Sequence, residues 1–439
     1  MPASSFVARA LQLLRTITRP IVRKGWWHWV RFGLLLAAGS YVGSQLATSD
    51  RFVDIRYAVY QYQTRLQRRG PIYPQHTVLV LLNDEDFWGP KYESREPVKR
   101  DQIAALVDKL NQAGANTVAL DLDFFSPIRD RPDFEYEGFL REDAVLKAAL
   151  KRMCDAGRHV VLATDSEPVN GFDGDGPEVE VPSIYTPWLP ELPCVLTGYT
   201  DSPSEDLRRI PGLKKLKDGR NLDSFSLAMV KAGDPVAYAN IVNSQDTSIQ
   251  YKGFRFGQFL TQEDFSPKQG RQFVFNGEAI ETMDANALRQ AVADREVIIG
   301  EHWHWLAQGI GSYVDMHATP GGIEPGSMRL ANYVEAMRDE TGSFIGISDE
   351  TAEILEWILA CCLALLWALE IRTLWKWLCL LLGCLLSLLM SFFLLQNLGL
   401  FLDFFIPIVI IVVHTVAEHL MEMRRELQHA RQVIKELRS

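Results

Sequence analysis

Side chains suited to ligand binding or acid–base chemistry follow short apolar segments of the sequence. The set contains carboxylates, an amide, a hydroxyl group and imidazoles, at Asn83, Asp84, Asp86, Asp121, Asp123, Thr164, Asp165, Glu301, His302, Asp315 and His317. If the apolar segments are parallel strands of one sheet, these side chains meet beyond its carboxyl edge, where open α/β sheets bind ligands. We therefore predict a ligand-binding crevice at that edge. For any single residue, capping a helix or forming an Asx turn is the commoner role.

Two short pairs, His302-x-His304 and Asp315-x-His317, also have side chains that zinc accepts as ligands. Pairs of this length often arise by chance, and tryptophans alternate with the two histidines. The sequence contains no Gly-rich phosphate loop, no G-x-S-x-G nucleophile motif and no C-x-x-C pair. We therefore predict no metal site, no cofactor and no enzymatic activity. An extracytoplasmic metal-dependent hydrolase is kept as a minor alternative that rests only on these His and Asp residues.

The elements that must position these residues alternate between strand and helix. Short apolar runs predict strands, and apolar residues at 3-4 spacing predict helices. The strands are expected at 76–82, 116–122, 159–163, 273–275 and 297–300, and the helices at 101–113, 143–156, 224–232 and 328–338. Short links between strand and helix require right-handed crossovers and parallel pairing. We predict an α/β domain with a mostly parallel sheet and helices on both faces, and loops and insertions in the Pro-, Gly- and Asp-rich stretch 165–220.

The mean hydropathy of −0.04 averages over two different environments. Four segments have about the 20 mostly apolar residues that a membrane-spanning helix needs. The predicted order is a basic cytoplasmic N-terminus at 1–26, a transmembrane helix at 27–47, a stalk helix at 48–70, an extracytoplasmic domain at 71–350, transmembrane helices at 352–370, 374–396 and 398–417, and a cytoplasmic coiled-coil tail at 418–439. A cleaved signal peptide is the alternative for the first apolar segment.

The distribution of charge orients these segments. The net formal charge is +6 for residues 1–47, −15 for 48–350 and −1 for 351–439. Basic residues precede the first span, lie between the second and third, and follow the fourth, so the positive-inside rule places both termini in the cytoplasm. The acidic region then lies outside. Because nucleic acids bind concentrated Lys and Arg, we expect no nucleic-acid partner.

The six cysteines fall into two groups. Four of them lie in predicted spans, where they act as small apolar residues. The other two, Cys154 and Cys194, lie in the outer domain. In an oxidising compartment they could form one disulfide, and the alternative is two buried thiols. Their spacing in the sequence does not decide between the two.

An unbroken 3-4 pattern of apolar residues runs from the last predicted span into the tail. The seam in the tail consists of Leu420, Met423, Leu427, Ala430, Ile434 and Leu437. We predict that it pairs as a coiled coil in a homodimer or a higher homo-oligomer. The alternative is an amphipathic helix on the inner leaflet of the membrane.

Several stretches resemble the CHASE type-two family of bacterial extracellular sensory domains with flanking transmembrane helices. The likeness is carried, in order, by VLVLLNDEDF, NQAGANTVALDLDFFSP, EDAVLKAALKRMCDAGRHVVLATD, SFSLAMVKA, REVIIGEHWHW, YVDMHATPGG and PGSMRLANYVEAM. Its most specific part is the Asp-x-His-x-Thr-Pro element, with Asp315, His317, Thr319 and Pro320. The resemblance implies a sensory role in the bacterial inner membrane, and it implies no particular ligand.

Proteins of this family usually carry a cyclase, kinase or phosphatase output, and the present sequence contains none. We therefore expect a dimeric membrane sensor that detects an unknown signal outside the cell membrane and relays it, through its transmembrane helices and tail, to a cytoplasmic effector protein in trans. The alternative is a non-enzymatic structural subunit that scaffolds a multi-protein complex. Membrane lipid is an expected partner in both cases.

Overall fold

The computed structural model describes most of the central region of the chain. The described residues are 73–122, 136–168, 178–181, 183–200, 209–244, 251–256, 260–268, 270–306, 309–319, 322–338 and 343–344, together with scattered helical residues within 30–41, 354–361, 381–394 and 420–434. The chain divides into two compact units, Thr64–Ile345 on the one hand and Met1–Gln63 with Gly346–Ser439 on the other. The first unit holds all the strands and helices described next.

The unit Thr64–Ile345 alternates strands and helices. Its strands are β1 (Thr77–Leu82), β2 (Thr117–Asp121), β3 (His159–Thr164), β4 (Ser166–Pro168), β5 (Glu178–Glu180), β6 (Val195–Tyr199), β7 (Arg209–Lys215), β8 (Asn221–Asp223), β9 (Tyr251–Phe256), β10 (Val274–Phe275), β11 (Glu296–Glu301), β12 (His304–Leu306), β13 (Ile310–Tyr313), β14 (Met316–Thr319), β15 (Gly322–Pro325) and β16 (Ser343–Phe344). Its helices are α1 (Asp84–Phe87), α2 (Arg100–Ala113), α3 (Tyr136–Asp155), α4 (Phe225–Gly233), α5 (Pro235–Ser244), α6 (Gly277–Thr282), α7 (Ala285–Val292) and α8 (Gly326–Arg338), with a 3₁₀ helix at Thr186–Glu191.

Six parallel strands form the main sheet, in the order β10-β1-β11-β2-β3-β6. One register row crosses its centre through Leu79, Ile298, Ala119 and Val161. All four side chains are fully buried. The central strands are nearly continuous apolar runs because a parallel sheet is covered on both of its faces. The last strand of the sheet, β11, lies between β1 and β2, so residues that are far apart in sequence meet at the edge where these strands end.

Helices pack on both faces of this sheet. On one face α2 packs against α3, α6 and α7, and the core there includes Val80 and Leu120 from the strands and Leu106 from α2. Side chains alternate along a strand, so Leu79 and Ala119 point to the other face. That face is covered by α4 and α8, which also contact each other. The predicted fold class, an α/β domain with a mostly parallel sheet, is confirmed.

The prediction of loops and insertions over 165–220 is wrong, because the stretch contains the strands β4, β5, β6 and β7 and a 3₁₀ helix. This stretch contains β6, which pairs with β3 as the edge strand of the main sheet. It also contains β7, one of the two inner strands of a four-stranded antiparallel sheet ordered β16-β9-β7-β8. An edge strand needs only one partner, and in β6 only Val195, Gly198 and Tyr199 are buried. So short a pattern, surrounded by Pro, Gly and Asp, does not stand out in the sequence.

Helix α8 holds the beginning of β1 against the beginning of β11. The Glu335 carboxylate accepts hydrogen bonds from the backbone N–H groups of His76 and Thr77, at 2.8 and 2.7 Å. One turn away, the Arg338 guanidinium donates to the Glu296 carboxylate at 2.6 Å. Both contacts lie at the amino edge of the sheet. These contacts link the last turns of α8 to the starts of β1 and β11.

No helix among the described residues is both long and apolar enough to cross a membrane. The predicted N-terminus, the stalk helix and the span at 398–417 lie wholly outside the described residues. The predicted spans at 27–47, 352–370 and 374–396 lie partly outside them.

Cys154 and Cys194 form a disulfide, with their Cα atoms 5.2 Å apart. It joins the end of α3 to the residue that precedes β6, and both cysteines pack against the core. The bond closes a segment with a sequence separation of 40 residues. Because β6 is an edge strand with a single partner in the main sheet, this link adds a second constraint on its position.

Replacing both Cys154 and Cys194 with Ser should lower the free energy of unfolding by about 3 to 4 kcal/mol, since the unfolded chain regains the entropy of an open segment of this length. Chemical denaturation of the full chain in detergent under non-reducing conditions measures the change. Cys361→Ser is the control, because Cys361 is a free thiol. Equal stability of the double variant and this control would contradict the prediction.

Candidate ligand-binding site

A cavity of about 260 Å³ opens at the carboxyl edge of the main sheet. The residues that line it are Asp121, Leu122, Ala163, Thr164, Asp165, Ser183, Tyr185, Thr200, Glu301 and Asp315. They come from the ends of β2, β3, β6 and β11 and from the segments that follow. The sequence predicted a crevice at this edge, and the structure brings five of the predicted residues together in it: Asp121, Thr164, Asp165, Glu301 and Asp315.

Two glycines allow α8 to approach this cavity. A Cβ atom on Gly300, in β11, would overlap the side chain of Ser327. A Cβ atom on Gly326, the first residue of α8, would overlap the carboxylate of Asp315. With both positions open, the Ser327 hydroxyl donates a hydrogen bond to the Asp121 carboxylate at 2.8 Å. The N-terminal turn of α8 therefore contacts two carboxylates of the cavity wall, at the end of the helix that favours negative charge.

Asp315 has an unusual backbone conformation. Its φ of +51° lies in the left-handed region, which side chains other than Gly, Asn and Asp rarely adopt. The Asp315 carbonyl accepts a hydrogen bond from the Gly326 N–H at 2.8 Å. Its carboxylate lies 2.7 Å from Nε2 of His317. Strained positions of this kind persist where the surroundings fix them, and here the fixed group is a carboxylate of the cavity.

Burial raises the pKa of Asp121, and the negative charge of Asp315 raises it further, to about 7. The hydrogen bond from Ser327 and the positive charge of Arg329 act in the opposite direction. Two carboxylates that share one pocket repel each other, which favours the protonated form of the more buried one. Near neutral pH the cavity can therefore take up or release a proton at Asp121.

Ser183, Tyr185 and Thr200 complete the wall, and none of them was predicted from the sequence. All three lie within the stretch 165–220 that was expected to form loops, in segments without a periodic pattern. The Tyr185 side chain is buried, and its hydroxyl donates to the backbone carbonyl of Ala163. Burial raises the pKa of Tyr185 to about 12. It therefore contributes a neutral aromatic ring to the cavity.

Asn83 and Asp86 have capping roles and do not line the cavity. The Asn83 side chain, at the N-cap of α1, accepts a hydrogen bond from the Asp86 backbone N–H. The Asp86 carboxylate in turn accepts one from the Asn83 backbone N–H. The Asp86 carboxylate also accepts hydrogen bonds from the backbone N–H groups of Gly277 and Glu278, both at 2.9 Å. This holds α6 against the end of β1. Asn83 and Asp86 thus have the commoner role of Asn and Asp after a strand, which is to cap a helix.

Asp84 and the two histidines of the H-x-H pair form a separate group beside α1. The Asp84 carboxylate lies 2.7 Å from Nδ1 of His304 and accepts the His304 backbone N–H at 2.6 Å. Burial opposes the charged form of Asp84, but the hydrogen bonds from His304 outweigh it and lower the pKa. His302 stacks on Tyr313 at 4.3 Å, and burial lowers its pKa. Asp123 lies outside the described residues.

Metal-ligating side chains do not converge in the described part of the chain. No group of three or more His, Cys, Asp or Glu residues is arranged there so that it could hold a metal ion. His317 pairs with Asp315, whereas His304 pairs with Asp84. The two pairs that the sequence singled out thus belong to different clusters.

The fold and the cavity together define a class of protein, a parallel α/β domain with a ligand-sized cleft where its strands end. A model of the CHASE2 domain family matches residues 32–382. Because this match covers more than half of the chain, the protein belongs to the CHASE2 family, and the resemblance read from its sequence is confirmed. CHASE2 domains are extracytoplasmic sensory domains. Comparisons with curated proteins and with solved structures found no significant match.

The raised pKa of Asp121 predicts a pH-dependent stability. Its value of about 7 in the folded protein exceeds the ordinary value of 3.8, so the folded state binds more protons between these values. The contribution of Asp121 to the free energy of unfolding should therefore fall as the pH rises from about 4 to 7, by at most about 1.4 kcal/mol per pH unit, and stay constant above that range.

Urea denaturation of the wild type and of Asp121→Asn across this pH range isolates the effect, because asparagine does not titrate but still accepts a hydrogen bond from Ser327. The stability of the wild type minus that of the variant should decline with increasing pH. Parallel stability curves for the two proteins would show that Asp121 titrates at its ordinary value.

Proposed function

We propose that this protein is a membrane-anchored sensor. Its CHASE2 domain binds a ligand in the cavity outside the cytoplasm, and the bound state is relayed through transmembrane helices and the coiled-coil tail to a cytoplasmic effector in trans. The observation that carries the proposal is the position of α8. Its first turn contacts Asp121 and Asp315 in the cavity, and its last turns hold β1 and β11 at the opposite edge of the sheet.

This arrangement gives a ligand a direct mechanical contact with the last helix of the domain. A group that changes the charge or position of Asp121 also changes the hydrogen bond with Ser327. The helix is 13 residues long, about 20 Å at 1.5 Å per residue, and it is buried along almost all of its length. A packed helix responds as a unit, so a shift at its first turn moves its last turn. Ligand control then requires different affinity for the two positions.

Exposed apolar side chains support the membrane anchor. Eight described helical residues of the third predicted span are 45 to 73 % exposed in the single chain: Leu381, Leu382, Leu385, Leu386, Leu388, Leu389, Met390 and Phe393. An apolar surface of this density normally faces lipid or protein. Together with the positive-inside pattern of the sequence, it favours a multi-pass protein of the bacterial inner membrane with both termini in the cytoplasm.

The tail supports a homo-oligomer. Most residues of the predicted seam are helical and exposed in the single chain, namely Leu420, Met423, Leu427, Ala430 and Ile434, while Leu437 lies outside the described residues. A second copy of the chain would bury this seam as a coiled coil. A cytoplasmic effector then binds the paired tail rather than a single helix.

Reporter fusions test the topology. Alkaline phosphatase, which is active only outside the cytoplasm, should be active when it is fused after Glu350 and inactive when it is fused after Ser439, since an odd number of spans separates the two positions. Enzyme assays on intact cells, normalised to the amount of each fusion, measure this. Activity of the fusion after Ser439 would contradict the proposed orientation.

The relay is tested by pulsed EPR on the full chain in lipid nanodiscs. A spin label at Glu426→Cys in each protomer reports the distance between tails, in a background where the four cysteines outside the disulfide are Ala. Ser327→Ala removes the hydrogen bond to Asp121 and should shift this distance. Ser226→Ala is the matched control, because Ser226 also contacts α8, through the Leu330 carbonyl at 3.0 Å, but does not line the cavity.

If Ser327→Ala and Ser226→Ala both give the wild-type distance distribution, the cavity is not coupled to the tail. The protein would then fit the alternative of a structural subunit that scaffolds a complex. If the spin labels at position 426 show no distance between protomers within the range of the measurement, the tails are not paired, which would contradict the homo-oligomer as well.

A further inference from the structure

We infer that the hairpin formed by β12 and β13 is a contact surface for the same hairpin of a second copy of this chain. The inference rests on the homo-oligomer of the proposed function and adds to it a second interface, in the extracytoplasmic domain. Three observations carry it: the exposed apolar side chains of the hairpin, the absence of charged residues from its sequence, and the small area that it offers to a partner.

The hairpin has the densest group of exposed apolar side chains in the described part of the domain. Trp305 is 62 % exposed, Leu306 53 %, Ile310 56 % and Tyr313 41 %. No other stretch of ten described residues in the domain has more than two large apolar side chains of comparable exposure. An apolar patch of this kind marks an interaction site, and the cores of protein interfaces are enriched in Trp and Tyr.

The base of the hairpin packs against the core of the domain. Trp303, directly before β12, is 1 % exposed and stacks on Phe87 with the ring centroids 4.1 Å apart. The Trp88 indole N–H donates to the His304 carbonyl at 3.3 Å, and the Val314 N–H donates to the Trp303 carbonyl at 2.9 Å. A two-stranded hairpin is marginally stable by itself in water, so the exposed strands gain stability from an apolar surface that covers them.

The absence of charge favours a second copy of the chain over a basic partner. Residues 302–314 contain no Asp, Glu, Lys or Arg, within a region, 48–350, that has a net charge of −15. Two copies of so acidic a domain repel each other. This repulsion is weakest where an uncharged segment meets its own copy. A basic partner would instead be attracted to the acidic surface elsewhere on the domain.

The area of the patch favours a partner that is held close by. Large apolar side chains have on the order of 200 Å² each, so the four exposed fractions amount to roughly 400 Å² per chain and about 800 Å² across a two-fold contact. Stable interfaces bury at least about 1,200 Å², so two free proteins would associate only weakly through this patch. Copies with paired tails have an effective concentration on the order of millimolar, at which a weak contact forms.

The hairpin also joins two residues of the cavity wall. Glu301 comes shortly before it and Asp315 shortly after it, and both line the cavity. A ligand that touches these residues therefore lies beside both ends of the hairpin. If the affinity of the ligand differs between free and paired hairpins, the ligand shifts their pairing, and the pairing changes the affinity by the same factor.

Pulsed EPR on the full chain in lipid nanodiscs tests the inference. The spin label is placed at Ser312→Cys, in the background where the four cysteines outside the disulfide are Ala. Ser312 is an exposed residue of β13, so two hairpins in contact should give a short, narrow distribution of distances between labels. Ile310→Glu puts like charges into the contact and should make this distribution longer and broader.

Val236→Glu is the matched control, because Val236 is also aliphatic and is 71 % exposed. It lies at the start of α5, two residues after Asp234, which contacts Arg338 at the amino edge of the main sheet. This change should leave the distances between labels at position 312 as they are in the wild type. The same distribution in the wild type, Ile310→Glu and Val236→Glu would overturn the inference.

A label at position 312 that shows no distance between protomers would also overturn it. If such a label is more accessible to oxygen than to a water-soluble nickel complex, lipid covers the hairpin in place of a second copy.

The label at Glu426→Cys in the tail separates this inference from the proposed function. If the tails are paired but the hairpins are apart, the homo-oligomer stands and the hairpin contact is wrong. If the hairpins give the expected distances but the tails do not pair, the hairpin contact stands and the coiled coil is wrong. If neither label shows a partner, both proposals fail.

Discussion

The close approach of α8 to the carboxyl edge of the sheet is the contact on which the site depends. It exists because Gly300 and Gly326 have no side chains, so that Ser327 and Asp315 occupy the space that Cβ atoms would fill. The contact brings a strand end, a strained turn and a helix start together around Asp121. Without it, α8 would sit farther from β11, and the cavity would lose the wall that connects it to the rest of the domain.

Most strands of the main sheet could be predicted from the sequence because they are buried on both faces. A strand covered by helices on each side must be apolar throughout, and β1, β3 and β11 have this pattern with turns on either side. Parallel pairing then brings the strand ends to one edge whatever the strand order. This is why Asp121, Thr164, Asp165 and Glu301 could be grouped without knowledge of the register, whereas Asp315 was included only because it lies near Glu301 in the sequence. The position of β11 between β1 and β2 could not be predicted, since any order of parallel strands buries the same residues.

The remaining part of the site depends on contacts that leave no periodic trace. Tyr185 and Thr200 reach the cavity from irregular segments whose positions are set by the edge strand β6 and by the disulfide. Conversely, Asn83 and Asp86 have the same residue types as the cavity wall, yet they serve as caps, because α6 begins close enough to Asp86 to use its carboxylate. The sequence shows that a polar side chain follows a strand. Whether this side chain lines a cavity or accepts a backbone N–H depends on which elements pack next to it.

The contacts of Glu335 have a consequence for how the domain is connected. They hold the end of α8 beside the start of β1, at the edge opposite the cavity. The first strand and the last long helix of the domain thus meet at one place, and of the described elements only the two-residue strand β16 follows them. A domain with adjacent ends can be inserted into another chain without stretching either junction. From the start of β1 to the end of α8 at Arg338, this domain meets that condition.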